Sequence, residues 1–349
     1  MGKRTTIYDI ANRLNISTTT VFRALNGKDR VSEETRKLVE DAAKEMGFKA
    51  NKVAKSLARN TIRLGLIIAN SIPEFHDEII RGAKAAYEEL ADFNVTFDYF
   101  STGPDQQGQR REILDRMDEM KDKGYEGILL LPCGDMRGMH EKIHELSACS
   151  IAVASVVSDI LGSECIFSLR QDAMKSGKIA AELLWWFTAN KNIAVFTGYK
   201  NIGVHPEVIE GFYEGCKIKP LNIIGIYENH DDPELAYYTT GKVLDKYPEL
   251  EGIYVSTANS IAVCKKLKES GHAGRIKVVA SDFFPELHKY MEEDVIHASV
   301  FQDPYNQGRL ALKYLYWNIA EGRTFDRNIL LKPQIILKSQ MDSFMDRQN

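Results

Sequence analysis

From Thr6 the chain reads TIYDIANRLNIS, with Ile7, Ile10, Ala11 and Leu14 at helical spacing and Thr6 and Asp9 in a capping-box pattern. Asn15 and Ile16 predict a turn, and Ser17 can cap a second helix, TTTVFRALNG, that stops at Asn26-Gly27. A third helical pattern, SEETRKLVEDAAKEMGF, opens with Ser32 and a glutamate-rich first turn and sets Leu38, Ala42 and Met46 on one apolar face. Three short helices joined this tightly predict a small all-α head built around a helix-turn-helix. From Ile62 the period changes. Strand-like runs RLGLIIAN, VTFDYFS, GILLLPCG and SIAVASVV alternate with helical stretches, and a second series, NIAVFTG, NIIGIY, GIYVST, IKVVASD and IHASVFQD, follows. Such alternation predicts parallel sheets covered on both faces, and two series in tandem predict two lobes with a cleft between them.

Composition adds a division of labour. The net charge of -4 is uneven: residues 1–60 hold 13 Lys+Arg against 7 Asp+Glu, leaving 32 against 42 for the remainder. A basic head on an acidic body points to a polyanion partner for the head alone. At 349 residues the chain exceeds one hydrophobic core, and no apolar run reaches the length of a membrane span, so a soluble, cytoplasmic protein with no membrane partner is expected. Cys133, Cys149, Cys165, Cys216 and Cys264 form no CxxC pair and read as reduced core thiols.

The second helix carries the head's candidate chemistry. Thr18, Thr19 and Thr20 are short enough to approach base edges and the thymine methyl, and Arg23, one turn on, can reach guanine or a phosphate. A plain three-helix bundle with threonines on a solvated face is the bland alternative, disfavoured by the positive charge. The following segment, NKVAKSLARN, is too short to stand alone as a helix in water. Taken in order, Y-D-I-A, S-T-T-T-V-x-R-A-L-N, V-S-E-E-T-R and N-K-V-A-K-S-L-A resemble the head and hinge of the lactose-repressor (LacI/GalR) family of bacterial transcriptional regulators. The resemblance implies DNA contacts from Thr6, Tyr8, Ser17, Thr18, Thr19, Thr20, Arg23 and Asn26. It further implies a hinge helix from Asn51 to Ala58 that orders only when two subunits sit on an operator, with Asn51, Val53, Ala54 and Arg59 at the DNA and Leu57 wedged into the minor groove. Two positions depart from the family: Phe22 replaces a small polar residue, and Ala50 replaces the usual proline.

The body resembles the periplasmic sugar-binding fold carried by the same family. In open parallel sheets ligands sit beyond the carboxyl ends of strands, and here those places are polar: Asn70, Phe75, His76, Ser155, Arg170, His205, Asn229, Asn259, Asp282 and Gln302. Amides, a carboxylate and aromatic rings suit a polyhydroxylated ligand, a sugar or polyol. Phe75 and Asp282 match ligand-contacting places of the family, and FQDPYNQG around Gln302 is similar to the periplasmic sugar binders. Capping of helices by Asn259 or Asp282 is the plainer alternative. Val208 stands where many members keep an arginine before the pair here formed by Gly211-Phe212, which points away from an anionic effector.

Other chemistries are weaker. His140-Glu141-Lys142-Ile143-His144 spells HExxH, but on a sheet-covering helix, with Glu164 expected at a strand start rather than on a facing helix; chance is the better account. No GxxxxGK[ST] loop, GxSxG elbow or strand-linked GxGxxG is present, so neither an enzyme nor a cofactor is expected. A free-standing solute-binding protein would need export and would carry no such head. The expected organisation is a head at 1–49, a hinge at 50–61 and a body at 62–349, with one lobe at about 62–168 plus 301–330 and the other at about 169–300 plus 331–345. The expected function is a homodimeric regulator on a pseudo-palindromic operator, controlled by the effector. The tail KSQMDSFMDRQN lacks the leucine heptad of a tetramer.

Overall fold

A computed structural model describes residues 5–25, 31–48, 60–69, 72–103, 106–132, 134–200 and 203–348. The chain separates into two compact units, Met1–Asn60 and Thr61–Asn349. In the first, α1 (Ile7–Leu14) starts from a complete Thr6/Asp9 capping box and ends on Asn15 in the left-handed region at φ 52. Helix α2 (Thr18–Leu25) follows, with Ser17 Oγ accepting the Thr20 amide at 3.0 Å. Helix α3 (Glu33–Glu45) is capped by Ser32. Ile10, Ala11, Val21, Ala24, Val39, Ala42 and Ala43 form the core of this unit.

The expected apolar face of α3 is corrected here. Leu38 is 54% exposed, and the buried stripe is Val39, Ala42 and Ala43 with Met46 packed against it. Positions 39, 42, 43 and 46 keep the i, i+3, i+4, i+7 spacing of one helical face, from which residue 38 is turned by about 100°.

The larger unit holds two six-stranded sheets. The first runs β11-β5-β4-β3-β1-β2, from β1 (Ile62–Ile68), β2 (Val95–Ser101), β3 (Gly127–Leu131), β4 (Ala152–Val156), β5 (Ser168–Gln171) and β11 (Asn328–Leu331). The second runs β12-β10-β9-β8-β6-β7, from β6 (Asn192–Thr197), β7 (Asn222–Glu228), β8 (Gly252–Val255), β9 (Lys277–Ala280), β10 (Ile296–Phe301) and β12 (Gln334–Ile336). All neighbours are parallel except β12, antiparallel to β10. Each sheet thus repeats the doubly wound order 2-1-3-4-5, which reverses direction beside its first strand and opens a crevice there.

The chain crosses between the sheets three times: after β5, after β10 and after β11. The strand carrying Arg170 therefore hydrogen-bonds within the first sheet, so the first crossing lies beyond Gln171 rather than near 168. Short strands β5, β11 and β12 escaped the sequence reading.

Helix pairs cover the sheets at very close range. Gly82 of α4 (Pro73–Glu89) faces the Tyr305 carbonyl of α12 (Pro304–Glu321), and Gly308 of α12 faces the Ile79 carbonyl in return. The second lobe repeats the device: Gly177 of α7 (Ala173–Phe187) faces Val208 of α8 (His205–Ile218), and Gly211 faces Met174. Any Cβ at these positions would collide with backbone, which cannot swing aside. Gly82→Ala and Gly308→Ala are each expected to cost about 1–3 kcal/mol through overpacking, seen as a lower thermal midpoint; an unchanged midpoint would contradict this backbone contact.

Candidate functional site

In the head, Thr18, Thr19 and Thr20 occupy the first turn of α2, with Thr19 exposed and the other two half-buried. Arg23 is half-buried one turn later. Tyr8 is 71% and Phe22 44% exposed, large aromatic surfaces that the small core leaves outside. Thr6 and Ser17 serve first as helix caps: Thr6 Oγ1 donates to Asp9 Oδ2 at 2.7 Å, and Ser17 Oγ meets Thr20 Oγ1 at 2.8 Å. Asn26, Asn51, Val53, Ala54, Leu57 and Arg59 lie outside the described residues, as does Asn70.

In the body, a cleft of about 900 Å³ opens between the carboxyl ends of the two sheets. Of the expected residues, Phe75 and His76 line it from the start of α4, His205 from the start of α8, Asp282 from the end of β9 and Gln302 from the crossing after β10. Four others do not line it. Ser155 sits inside β4, wholly buried. Arg170 points its guanidinium at Glu207 on α8, Nη1 to Oε2 2.7 Å, an ion pair joining the first sheet to the second lobe. Asn229 is a brace, donating from Nδ2 to Thr257 Oγ1 at 3.1 Å and accepting the Asp231 amide on Oδ1 at 3.1 Å. Asn259 occupies the N-cap of α10 (Ser260–Glu269) but caps nothing with its side chain.

The sequence reading missed Gln171, Tyr199, Asp231, Tyr254 and the Asp135–Arg137 pair on the cleft wall. Asp231 was legible only as part of the Asn229-His230-Asp231-Asp232-Pro233 turn. There Asp232 caps α9 (Pro233–Lys246), while His230 and Asp231 take the left-handed region at φ 51 and φ 56. Val157, also on the wall, has φ 69, which is costly for a β-branched residue. Strain of this kind persists only where surrounding structure enforces it; Val157 and Asp231 place it on the cleft wall, while Ser150 and Lys191 hold it elsewhere.

Charge pairing is uneven along the cleft wall. Asp135 is ion-paired with Arg137 at 2.6 Å and with Arg110 at 3.1 Å, and Asp159 with Arg327 at 2.9 Å. Asp231 and Asp282 have, among the described residues, no lysine or arginine at ion-pair distance. Asp282 is 1% exposed; its Oδ1 accepts from Gln302 Nε2 at 3.0 Å, and its buried Oδ2 has no partner among the described residues. Burial pushes the Asp282 carboxyl up to about 7, against the Gln302 hydrogen bond and with the help of Asp231. Burial raises Asp231 as well. The histidines do not offset this: burial lowers His76 to about 4, and lowers His205 despite Asp231 Oδ2 lying 3.9 Å from its Nε2. Tyr199 stacks on His230 at 5.0 Å, giving the same wall an aromatic face.

The HExxH spelling is taken up by a loop. Glu164 lies in that loop, not at a strand start, and its Oε1 meets His144 Nδ1 at 2.6 Å, while His140 Nε2 meets the Leu161 carbonyl at 2.8 Å. Among the described residues no helix is long and apolar enough to cross a membrane.

Residues 6–51 match the family of bacterial regulatory proteins, lacI family, and residues 64–324 match the periplasmic binding protein domain. The HTH-type transcriptional regulator RegA of Clostridium saccharobutylicum is 26% identical over 95% of this chain and 98% of its own. The ribose operon repressor of Haemophilus influenzae is 24% identical over 97% and 99%. Among solved structures, the glucose-galactose binding protein GanP of Geobacillus stearothermophilus aligns with a TM-score of 0.72 at 22% identity, over 81% of this chain and 99% of that one. This last likeness concerns the fold of the body.

The folded-state acidity of Asp282 predicts a stability signature. Its carboxyl holds a proton more tightly folded than unfolded, so stability falls as pH rises from about 4 towards 7, by a few kcal/mol in all. Asp282→Asn removes the ionisable group while keeping an acceptor for Gln302. Its thermal midpoint should exceed that of the native chain at pH 8 and lose that advantage near pH 4; an equal offset at both pH values would contradict the buried charge.

Proposed function

This chain belongs to the lacI family of bacterial regulatory proteins, and from that premise we propose that the affinity of its head for operator DNA is set by a polyhydroxylated, non-anionic effector held in the body cleft. The chain is a DNA-binding transcriptional regulator with an effector domain behind its helix-turn-helix. The observation that carries the effector reading is the cleft wall itself: a buried carboxylate oxygen of Asp282 and the buried Nδ1 of His205, both without partners among the described residues, at the carboxyl ends of a doubly wound sheet. Buried polar groups are ordinarily satisfied, so the Asp282 oxygen is placed to accept from a ligand hydroxyl and His205 Nδ1 to donate to or accept from one. Anionic effectors are disfavoured, because Arg137 is the one lysine or arginine among the described lining residues and Asp135 already engages it.

On DNA, two copies present two heads to a pseudo-palindromic operator. The segment around Leu57, too short to hold a helix alone, orders against its counterpart, and Leu57 wedges into the minor groove. Thr18, Thr19, Thr20 and Arg23 face the major groove, with Tyr8 and Asn26 beside them, Thr6 and Ser17 at the helix starts, and Asn51, Val53, Ala54 and Arg59 along the hinge. Effector binding changes the angle between lobes and so the separation of the hinges, a reciprocal coupling typically worth about 1–3 kcal/mol.

Selection from a random duplex pool gives the operator. The full chain should bind it as a dimer, the chain without its first 60 residues should not, and Arg23→Ala should weaken binding by about 1–3 kcal/mol in fluorescence anisotropy. Equal affinity with and without those residues would remove the assignment.

A further inference from the structure

The tail of the chain, which the DNA and effector readings leave idle, folds back onto the second sheet. After β12 it forms α13 (Met341–Gln348), with Met341 buried in the main core of the body. Lys338 ties down the entry, its Nζ donating to the Glu292 carbonyl at 2.7 Å and pairing with Asp294 at 2.9 Å. Phe344, one turn into the helix, meets two further rings edge-on: Phe283 at 6.0 Å and Phe301 at 5.7 Å between centroids, with interplanar angles of 72° and 82°. Edge-to-face pairs are specific in angle as well as in distance, so Phe344 restrains both rings at once.

Those two rings belong to the immediate neighbours of a pair at the cleft. Asp282 precedes Phe283, Gln302 follows Phe301, and both Asp282 and Gln302 line the cleft. Gln302 Nε2 donates to Asp282 Oδ1 at 3.0 Å, and Ser299 Oγ to the Asp282 carbonyl at 2.7 Å, which joins the end of β9 to the end of β10. Phe344 spans the same two ends from an element outside the sheet. We propose that Phe344 is a positioning residue of the effector site: through the rings of Phe283 and Phe301, the C-terminal helix holds Asp282 and Gln302 in the arrangement a ligand meets. The proposal rests on the effector reading of the cleft and gives the tail a part in it. Without the Phe344 ring a gap opens that its neighbours fill only in part; Phe283 and Phe301 shift into it, and water reaches the Asp282 carboxyl.

The test is a thermal-unfolding cycle on the full chain at pH 8 and pH 4, combining Phe344→Ala with Asp282→Asn. In the native background Asp282→Asn should raise the midpoint of the body at pH 8 relative to pH 4, because it removes a buried carboxylate. In the Phe344→Ala background the carboxylate is better hydrated, and this pH-dependent gain should shrink by about half or more. Asp231 and Tyr254, the other titratable groups that bear on Asp282, are the same in both backgrounds. Phe344→Tyr keeps the ring and should keep the native gain; Phe344→Leu takes the place of the alanine variant if that chain does not fold. A helix that merely adds stability would lower the midpoint equally at both pH values. The same gain in both backgrounds, or none in either, overturns the positioning role, as does an equal loss in the tyrosine variant. No step of the cycle involves DNA, so its failure leaves the regulator reading standing, while failure of that reading shows in the operator experiment.

Discussion

Three strand crossings tie the two sheets of the body together, and every functional feature of the body is arranged around them. The crossings are stapled to one another: Gln171 Nε2 donates to the Phe301 carbonyl at 3.0 Å, the Asp172 amide to the Leu331 carbonyl at 2.9 Å, and Gln334 Nε2 to Asp303 Oδ2 at 3.1 Å. Gln171 and Gln302 leave these crossings and enter the cleft wall. A ligand that touches Gln302 therefore touches the connection between lobes directly, and Gln302 passes the contact to Asp282. The Arg170–Glu207 pair is a further link across the same divide, with the guanidinium nearly buried. A change of angle between lobes must rearrange these bonds together, which is the discrete, bistable behaviour that coupling of two sites requires.

The cleft wall carries groups that folding does not favour. Asp282 is buried with its carboxyl raised, Asp231 adding to that shift, burial lowers His205 and His76, and Val157, His230 and Asp231 sit in the left-handed region. The packing elsewhere is close: reciprocal glycines bring helix backbones into contact in both lobes, and the central strands β3 and β8 are buried along their whole length. A buried carboxylate beside strained backbone, on the wall of a cleft in an otherwise close-packed body, fits a site kept for binding.

Helices and strands with a clear period were legible in the sequence. The capping signals at Thr6, Ser17 and Ser32 each mark a helix start in the head, because the hydroxyl does the same local job in any context. The apolar face of α3 was misjudged at Leu38, where only the neighbouring helices decide which of two adjacent apolar stripes turns inward. Strands β5, β11 and β12 are three or four residues long, and nothing in so short a run reveals a chain that crosses from one sheet to another. In the cleft, Asp282 and Gln302 follow directly on strands that local pattern identifies, and Phe75, His76 and His205 lie in the first turn of the helix after such a strand. Asp231 and Tyr199 could not be singled out, since their place depends on a strained turn and on ring stacking. Arg170 and Asn229 carried the right chemistry for a ligand but spend it on Glu207 and Thr257, a choice only the tertiary structure makes.

The central claim is that occupancy of the cleft and grip on the operator are one equilibrium. Calorimetric titration of the effector into the full chain, once free and once saturated with operator duplex, measures this directly. The account predicts two effector affinities that differ by about 5- to 150-fold, the same factor by which saturating effector shifts operator affinity. Identical effector affinity in the two titrations would contradict it.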